Sequence, residues 1–182
     1  MKYQAANKKG ETLIEVIAAL TSLVLAGIAA MTLVISVMTS TAISKEYLIA
    51  QNLAREGIEG VTNIRDTNWL LSPSEKATKW LEVDPADFYI LEKTDDKFSL
   101  KNKGVSSVSD GNYQLWVNSK GIYSHDQADK VTPQPVPTFY RRITFSNMAD
   151  PDTIKVTVKI YWENKSNPTT YELSSILANY EK

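Results

Sequence analysis

A long uncharged run near the start of the chain limits the folds open to it. No charged residue occurs between Val16 and Met38. As an α-helix this run would span about 35 Å, which is more than the roughly 30 Å of a bilayer's hydrocarbon core. The run therefore predicts a helix that crosses a membrane or fills the core of an assembly.

The charges around this run predict its orientation. Lys2, Lys8 and Lys9 precede it, so they would keep the short N-terminus in the cytoplasm and place the C-terminal body outside. Without these three, 17 Lys+Arg residues stand against 21 acidic residues. A body with that balance does not indicate nucleic-acid binding. The chain contains no cysteine, which excludes disulfides and thiolate metal sites.

The sequence continues with a helical pattern after the apolar run. We predict one helix from residue 11 to about 66, because no proline occurs before Pro73. Its second half carries an apolar stripe at three- and four-residue steps, formed by Tyr47, Ala50, Ala54, Ile58 and Val61. Gly57 and Gly60 have two open interpretations: close approach of another element, or a weak end of the helix.

The C-terminal part shows the period-two alternation of strands. The pattern predicts an antiparallel sheet meander over 112–182, with strands at Tyr113–Val117, Ile122–Tyr123, Phe139–Phe145, Ile154–Trp162 and Tyr171–Ile176. Residues 67–111 are expected to form a variable loop region, with short strands at Phe88–Leu91 and Phe98–Leu100. The fold class predicted is α+β, with the amphipathic helix half (41–66) covering the sheet.

The residues before the apolar run carry a specific motif. Gly10-Glu-Thr-Leu-Ile-Glu-Val16 follows Lys8 and Lys9, and it resembles the prepilin consensus Gly-Phe-Thr-Leu-Ile-Glu-Val. The chain is identified by this resemblance as a member of the type IV pilin family. A second, weaker likeness to minor-pilin-like proteins covers Leu53–Arg65, Arg142–Phe145 and Val156–Trp162. The family's frequent C-terminal cysteine pair is missing.

The resemblance implies a division of the chain and a role for individual residues. A prepilin peptidase would remove the leader, residues 1–10, by cutting between Gly10 and Glu11, with Lys8 and Lys9 as the leader's basic end. Glu11, where the family usually has phenylalanine, would then be N-methylated. Residues 11–40 would form the transmembrane or filament-core helix, and 41–182 the globular pilin domain. Glu15 would pair with the N-terminus of a neighbouring subunit.

The function implied is structural, with no catalytic residue and no cofactor or metal site. The partners implied are the peptidase, other pilin subunits, an assembly platform protein, its ATPase indirectly, and membrane lipid before assembly. The protein would reside in the cytoplasmic membrane, C-terminus outside, and then in an extracellular pilus. The alternatives are a pseudopilin of a type II secretion or DNA-uptake system, and an uncleaved single-span membrane protein with an extracellular binding lobe.

A few isolated residues suggest chemistry only weakly. His125, the single histidine, is expected to be solvated on a loop rather than catalytic. Asp110-Gly-Asn112 and Asp150-Pro-Asp152 offer oxygen ligands that suit calcium, although both also suit ordinary turns. The four tryptophans would form a stacking surface only if clustered and exposed, and Trp162 lies on the inward register of its strand.

Overall fold

A computed structural model describes residues 9–71, 80–94, 97–104, 107, 109–128, 130–150, 152–164 and 167–179. Within them the chain forms one long helix followed by short and long strands, so the fold is α+β. The elements are α1 (Lys9–Leu71), β1 (Phe88–Thr94), β2 (Lys97–Asn102), β3 (Trp116–Val117), β4 (Tyr123–Ser124), β5 (Phe139–Asn147), β6 (Thr153–Asn164) and β7 (Asn167–Ala178).

The helix is longer than predicted at both ends. It begins at Lys9, before the position expected for its start, and it ends at Leu71 rather than near residue 66. Near its end, Trp69 donates a hydrogen bond from Nε1 to Asn179 Oδ1 at 3.1 Å. This contact with the distant C-terminal end of the chain supports the last turn of α1, and local sequence does not reveal it.

The chain divides into two compact units, Met1–Lys45 and Glu46–Lys182. The N-terminal unit is the first part of α1. The C-terminal unit contains the rest of α1 and a five-stranded antiparallel sheet of order β2-β1-β5-β6-β7. The short strands β3 and β4 form a separate two-stranded ribbon.

The sheet differs from the predicted meander in three respects. It includes the strands at 88–102, because β1 pairs with β5 through Phe88 and Tyr89 across a long connection. Only β5, β6 and β7 follow one another as a meander. Tyr113 lies in a 3₁₀ turn, Gly111–Tyr113, rather than in a strand, because Asp110 Oδ1 accepts a hydrogen bond from Asn112 N.

The apolar stripe of α1 packs on the sheet as predicted. Ala50, Ala54 and Val61 are completely buried and belong to the same core cluster as the inward residues of β5 and β6. Tyr47 is an exception because its side chain is partly exposed, although its ring meets that of Trp162 edge-on at 5.2 Å. Helix and sheet therefore form two layers around one core.

The sheet approaches α1 closely at Gly57 and Gly60. A Cβ atom at Gly57 would lie 2.9 Å from Val158 Cγ1, and one at Gly60 would lie 2.2 Å from Leu91 Cδ2. Both separations are shorter than carbon–carbon contact distances. Close approach of another element is therefore the correct interpretation of these glycines, and a weak end of the helix is not.

Candidate functional site

The residues of the N-terminal motif lie in the first turns of α1. Lys9, Gly10 and Glu11 are helical, and Glu15 follows Glu11 by one helical turn. Lys8 lies outside the described residues, and for Lys9 to Glu11 only the backbone is described. The bond predicted to be cut, Gly10–Glu11, therefore lies inside the first helical turn.

The N-terminal unit has an apolar surface without internal cover. Every described side chain from Thr12 to Lys45 is exposed. The large exposed apolar residues are Leu13, Ile14, Val16, Ile17, Leu20, Leu23, Val24, Leu25, Ile28, Met31, Leu33, Val34, Ile35, Val37, Met38 and Ile43. Part of α1 is long and apolar enough to cross a membrane. A contiguous apolar surface of this size requires lipid or protein around it.

Five hydroxyl groups of this segment are satisfied within the helix. Thr21, Ser22 and Thr32 donate to the carbonyl four residues earlier, at 2.7, 2.8 and 3.1 Å. Thr39 and Thr41 do the same, at 2.7 and 2.8 Å. Because these five donors do not need water, their burial in an apolar environment costs little.

Glu15 is the exception in this surface. It is an exposed carboxylate between Ile14 and Val16, and no other charged side chain occurs from Thr12 to Ser44. An ionised group within an apolar segment is expensive in lipid and usually marks a functional contact. A glutamate near the end of a span can also lie at the headgroup level, where water solvates it.

The C-terminal unit buries the charge of Arg141, which the sequence analysis missed. Arg141 is 2 % exposed and points from β5 towards α1. Its Nη1 donates to Glu56 Oε2 at 2.9 Å and to the Leu53 carbonyl at 3.3 Å. Burial lowers the pKa of Arg141, and the charge of Glu56 raises it. The sequence could have predicted this burial, because Arg141 alternates with Phe139 and Ile143 and therefore lies on the inward face of its strand.

His125 is not the solvated loop residue that the sequence predicted. Its ring is largely buried, with Nδ1 3.0 Å from the Gln114 carbonyl oxygen and Nε2 enclosed. Burial lowers the pKa of His125 to about 3, and the positive charge of Arg141 acts in the same direction. The ring is therefore neutral at physiological pH and serves the packing of the loop that carries it.

The other candidate residues lie in turns or in partly or fully buried positions. None of the four tryptophans is exposed: Trp162 lies in the core, while Trp69, Trp80 and Trp116 are half-buried. Asp110 and Asp150 both accept a hydrogen bond from the amide two residues later, which is the geometry of a turn. In this part of the chain no group of three or more His, Asp or Glu side chains is placed to hold a metal ion.

Comparisons with known proteins add no relative to this description. No family model, curated protein or solved structure matches the chain.

Proposed function

We propose that the chain is a structural subunit of a type IV pilus, processed by a prepilin peptidase and assembled into a helical surface filament through its N-terminal helix. One observation carries this proposal. The motif Gly10-Glu-Thr-Leu-Ile-Glu-Val16 opens a helix whose surface is apolar and exposed up to Ser44, and a folded α+β unit follows in the same chain.

The exposed apolar surface could be buried in two successive environments, first in the membrane and then in the filament. Before assembly, lipid would cover it in the cytoplasmic membrane, with the C-terminal unit outside. After extraction by an assembly platform protein and its ATPase, neighbouring helices would cover it instead. Lipid tails are as apolar as leucine, so transfer between these environments needs close helix packing rather than a hydrophobic gain.

Glu15 supports a specific register between subunits. Cleavage after Gly10 would create an α-amino group on Glu11, one helical turn before Glu15. An amine and a carboxylate removed from water are costly when separate and attract each other strongly in a medium of low dielectric constant. Pairing the amine of one subunit with Glu15 of another would favour one axial offset over all others.

The weaker likeness in the C-terminal unit is to minor-pilin-like proteins, while the assembly motif itself is common to major and minor pilins. A pseudopilin of a type II secretion or DNA-uptake system uses the same assembly motif and is the nearest alternative. An uncleaved single-span protein is the second candidate, and two observations favour it: Glu11 departs from the consensus phenylalanine, and α1 continues through Gly10 without a break.

Three variants of the full chain test the proposal in cells that contain a prepilin peptidase and its assembly machinery. Gly10→Val is expected to leave the first ten residues attached, because a branched side chain at the cut would obstruct entry of the backbone into a tight peptidase active site. Glu15→Leu is expected to be cleaved but absent from filaments.

Glu11→Phe restores the family consensus and is the matched control. It should be cleaved and assembled at least as well as the natural chain. An unprocessed chain that stays in membranes in all variants would refute the pilin function and favour the uncleaved membrane protein.

A further inference from the structure

The five-stranded sheet has two edge strands, β2 and β7, that lack a second strand partner in the described part of the chain. There β2 pairs only with β1, and β7 pairs only with β6. An edge strand presents unpaired N–H and C=O groups, and charged residues, prolines or bulges usually prevent it from pairing with another chain. β7 is twelve residues long, contains Glu172 as its single charged residue, and has its proline, Pro168, at the second position. Its edge is poorly protected.

The topology fixes how two copies of this sheet can meet. Every pair of neighbouring strands is antiparallel, so β2 and β7, the first and fifth strands of the sheet, run in the same direction. Two copies in the same orientation would therefore bring β7 of one alongside β2 of the next as a parallel pair. Pairing β7 with β7 would instead require an antiparallel, two-fold arrangement.

The inner faces of the two edges match. Phe98 and Leu100 of β2 and Tyr171 and Leu173 of β7 are half-buried and pack against the core of their own sheet. Placing Phe98 beside Tyr171 and Leu100 beside Leu173 would continue the apolar layer from one copy into the next. Such side-by-side pairs stabilise a sheet.

The outer faces match in charge in the same register. Ser99 would then lie beside Glu172, flanked by Lys101, whose side chain is 57 % exposed. Within its own sheet Lys101 contacts Glu92 at 3.3 Å, and Glu172 contacts Lys159 at 2.6 Å. The two ion pairs would join into one row of alternating charge across the boundary. No like charges face each other in this row.

We propose that β7 of one copy pairs in parallel with β2 of a second copy of this chain, so that the sheets of neighbouring subunits become continuous. The contact is heterologous, since it uses two different surfaces, and repetition of such a contact produces an open filament. The preference for it over a β7–β7 dimer rests on the proposed filament, because the subunits of a polar filament are not related by a two-fold axis.

The natural chain contains no cysteine, so introduced pairs report contacts without background. Neighbouring strands lie about 4.8 Å apart, within the Cα separation that a disulfide spans. The test is the full chain carrying Ser99→Cys and Glu172→Cys, oxidised in cells that express the assembly machinery. Sheared filaments and membranes are then both analysed without reductant. The matched control combines Ser99→Cys with Lys155→Cys, an exposed position on the inner strand β6.

The proposal expects a ladder of covalent dimers and higher multimers, about tenfold more abundant than in the control pair, since adjacent strands hold the two thiols at a high effective concentration. Glu172→Cys alone should give none. Dimers from Glu172→Cys alone would overturn the proposal in favour of two-fold β7 pairing. Filaments that form without the ladder would overturn it as well, and would leave the proposed pilin function standing. If the ladder is missing from both the filament and the membrane fractions, the β2–β7 pairing is overturned.

Discussion

Gly60→Ala is the substitution for which the structure makes the sharpest prediction. The new Cβ atom would lie 2.2 Å from Leu91 Cδ2, 3.0 Å from Cδ1 and 3.1 Å from Cγ. Leu91 is 3 % exposed and cannot move into solvent. Overpacking of this kind costs about 1–3 kcal/mol, while alanine gains about 1 kcal/mol over glycine in a helix. We expect a net loss of up to about 2 kcal/mol in the free energy of unfolding.

The sign of the effect should reverse when the obstacle is removed. In a Leu91→Ala background the three contacting atoms are gone, so Gly60→Ala should stabilise the protein by about 1 kcal/mol, its helix-propensity gain. The measurement is urea unfolding of the full chain in non-ionic detergent, followed by tryptophan fluorescence, to which the buried Trp162 contributes. A gain of about 1 kcal/mol from Gly60→Ala in both backgrounds would refute the close approach of β1 to α1.

Three further predictions concern charged or titratable groups. Glu56→Ala should cost about 1–3 kcal/mol in the same unfolding assay, because it leaves the Arg141 guanidinium buried without its carboxylate, whereas Glu56→Ala combined with Arg141→Met should recover most of that loss. His125 has a folded-state pKa of about 3, below its unfolded value, so stability should fall as the pH drops below about 6.5, by up to about 1.4 kcal/mol per pH unit; His125→Gln should flatten this slope, and an unchanged slope would contradict the burial of the ring. Glu15→Leu should leave the unfolding free energy of the C-terminal unit unchanged while filaments are lost, and wild-type filament yield from that variant would remove Glu15 from assembly.

The parts of the fold that sequence predicted are those with regular local periodicity. The stripe through Ala50, Ala54 and Val61 repeats at helical spacing, and Ile154 to Trp162 alternates strictly, so each element reveals its buried face without knowledge of its partner. The pairing of β1 with β5 depends instead on residues about fifty positions apart. Local sequence patterns do not predict such a contact. The sheet was therefore predicted to begin too late in the chain.

Local chemistry competed with periodicity at two further positions. Tyr113 fits the alternation of a strand, but the Asp110 side chain binds the Asn112 amide and holds the residue in a 3₁₀ turn. His125 lies in a polar stretch that reads as a solvated loop, although its ring is largely buried against Gln114. Each outcome depends on its own specific hydrogen bond, and the periodicity of apolar residues does not predict such bonds.

The N-terminal motif is recognised by its residue types and their spacing rather than by periodicity. The structure places Glu15 on an exposed helix with an apolar surface on all sides. The proposed partner of Glu15 is the N-terminus of another copy of the chain. The contact between them must therefore be measured in the assembled filament.

The most direct test of the proposed function is the intact mass and N-terminal sequence of the protein, taken from sheared surface filaments and from membranes. The account predicts a chain in the filament fraction that begins at Glu11. A mass increase of one methyl group on that residue would identify N-methylation. A chain that still begins at Met1 and is confined to membranes would contradict the pilin function and assign the protein to uncleaved single-span anchors.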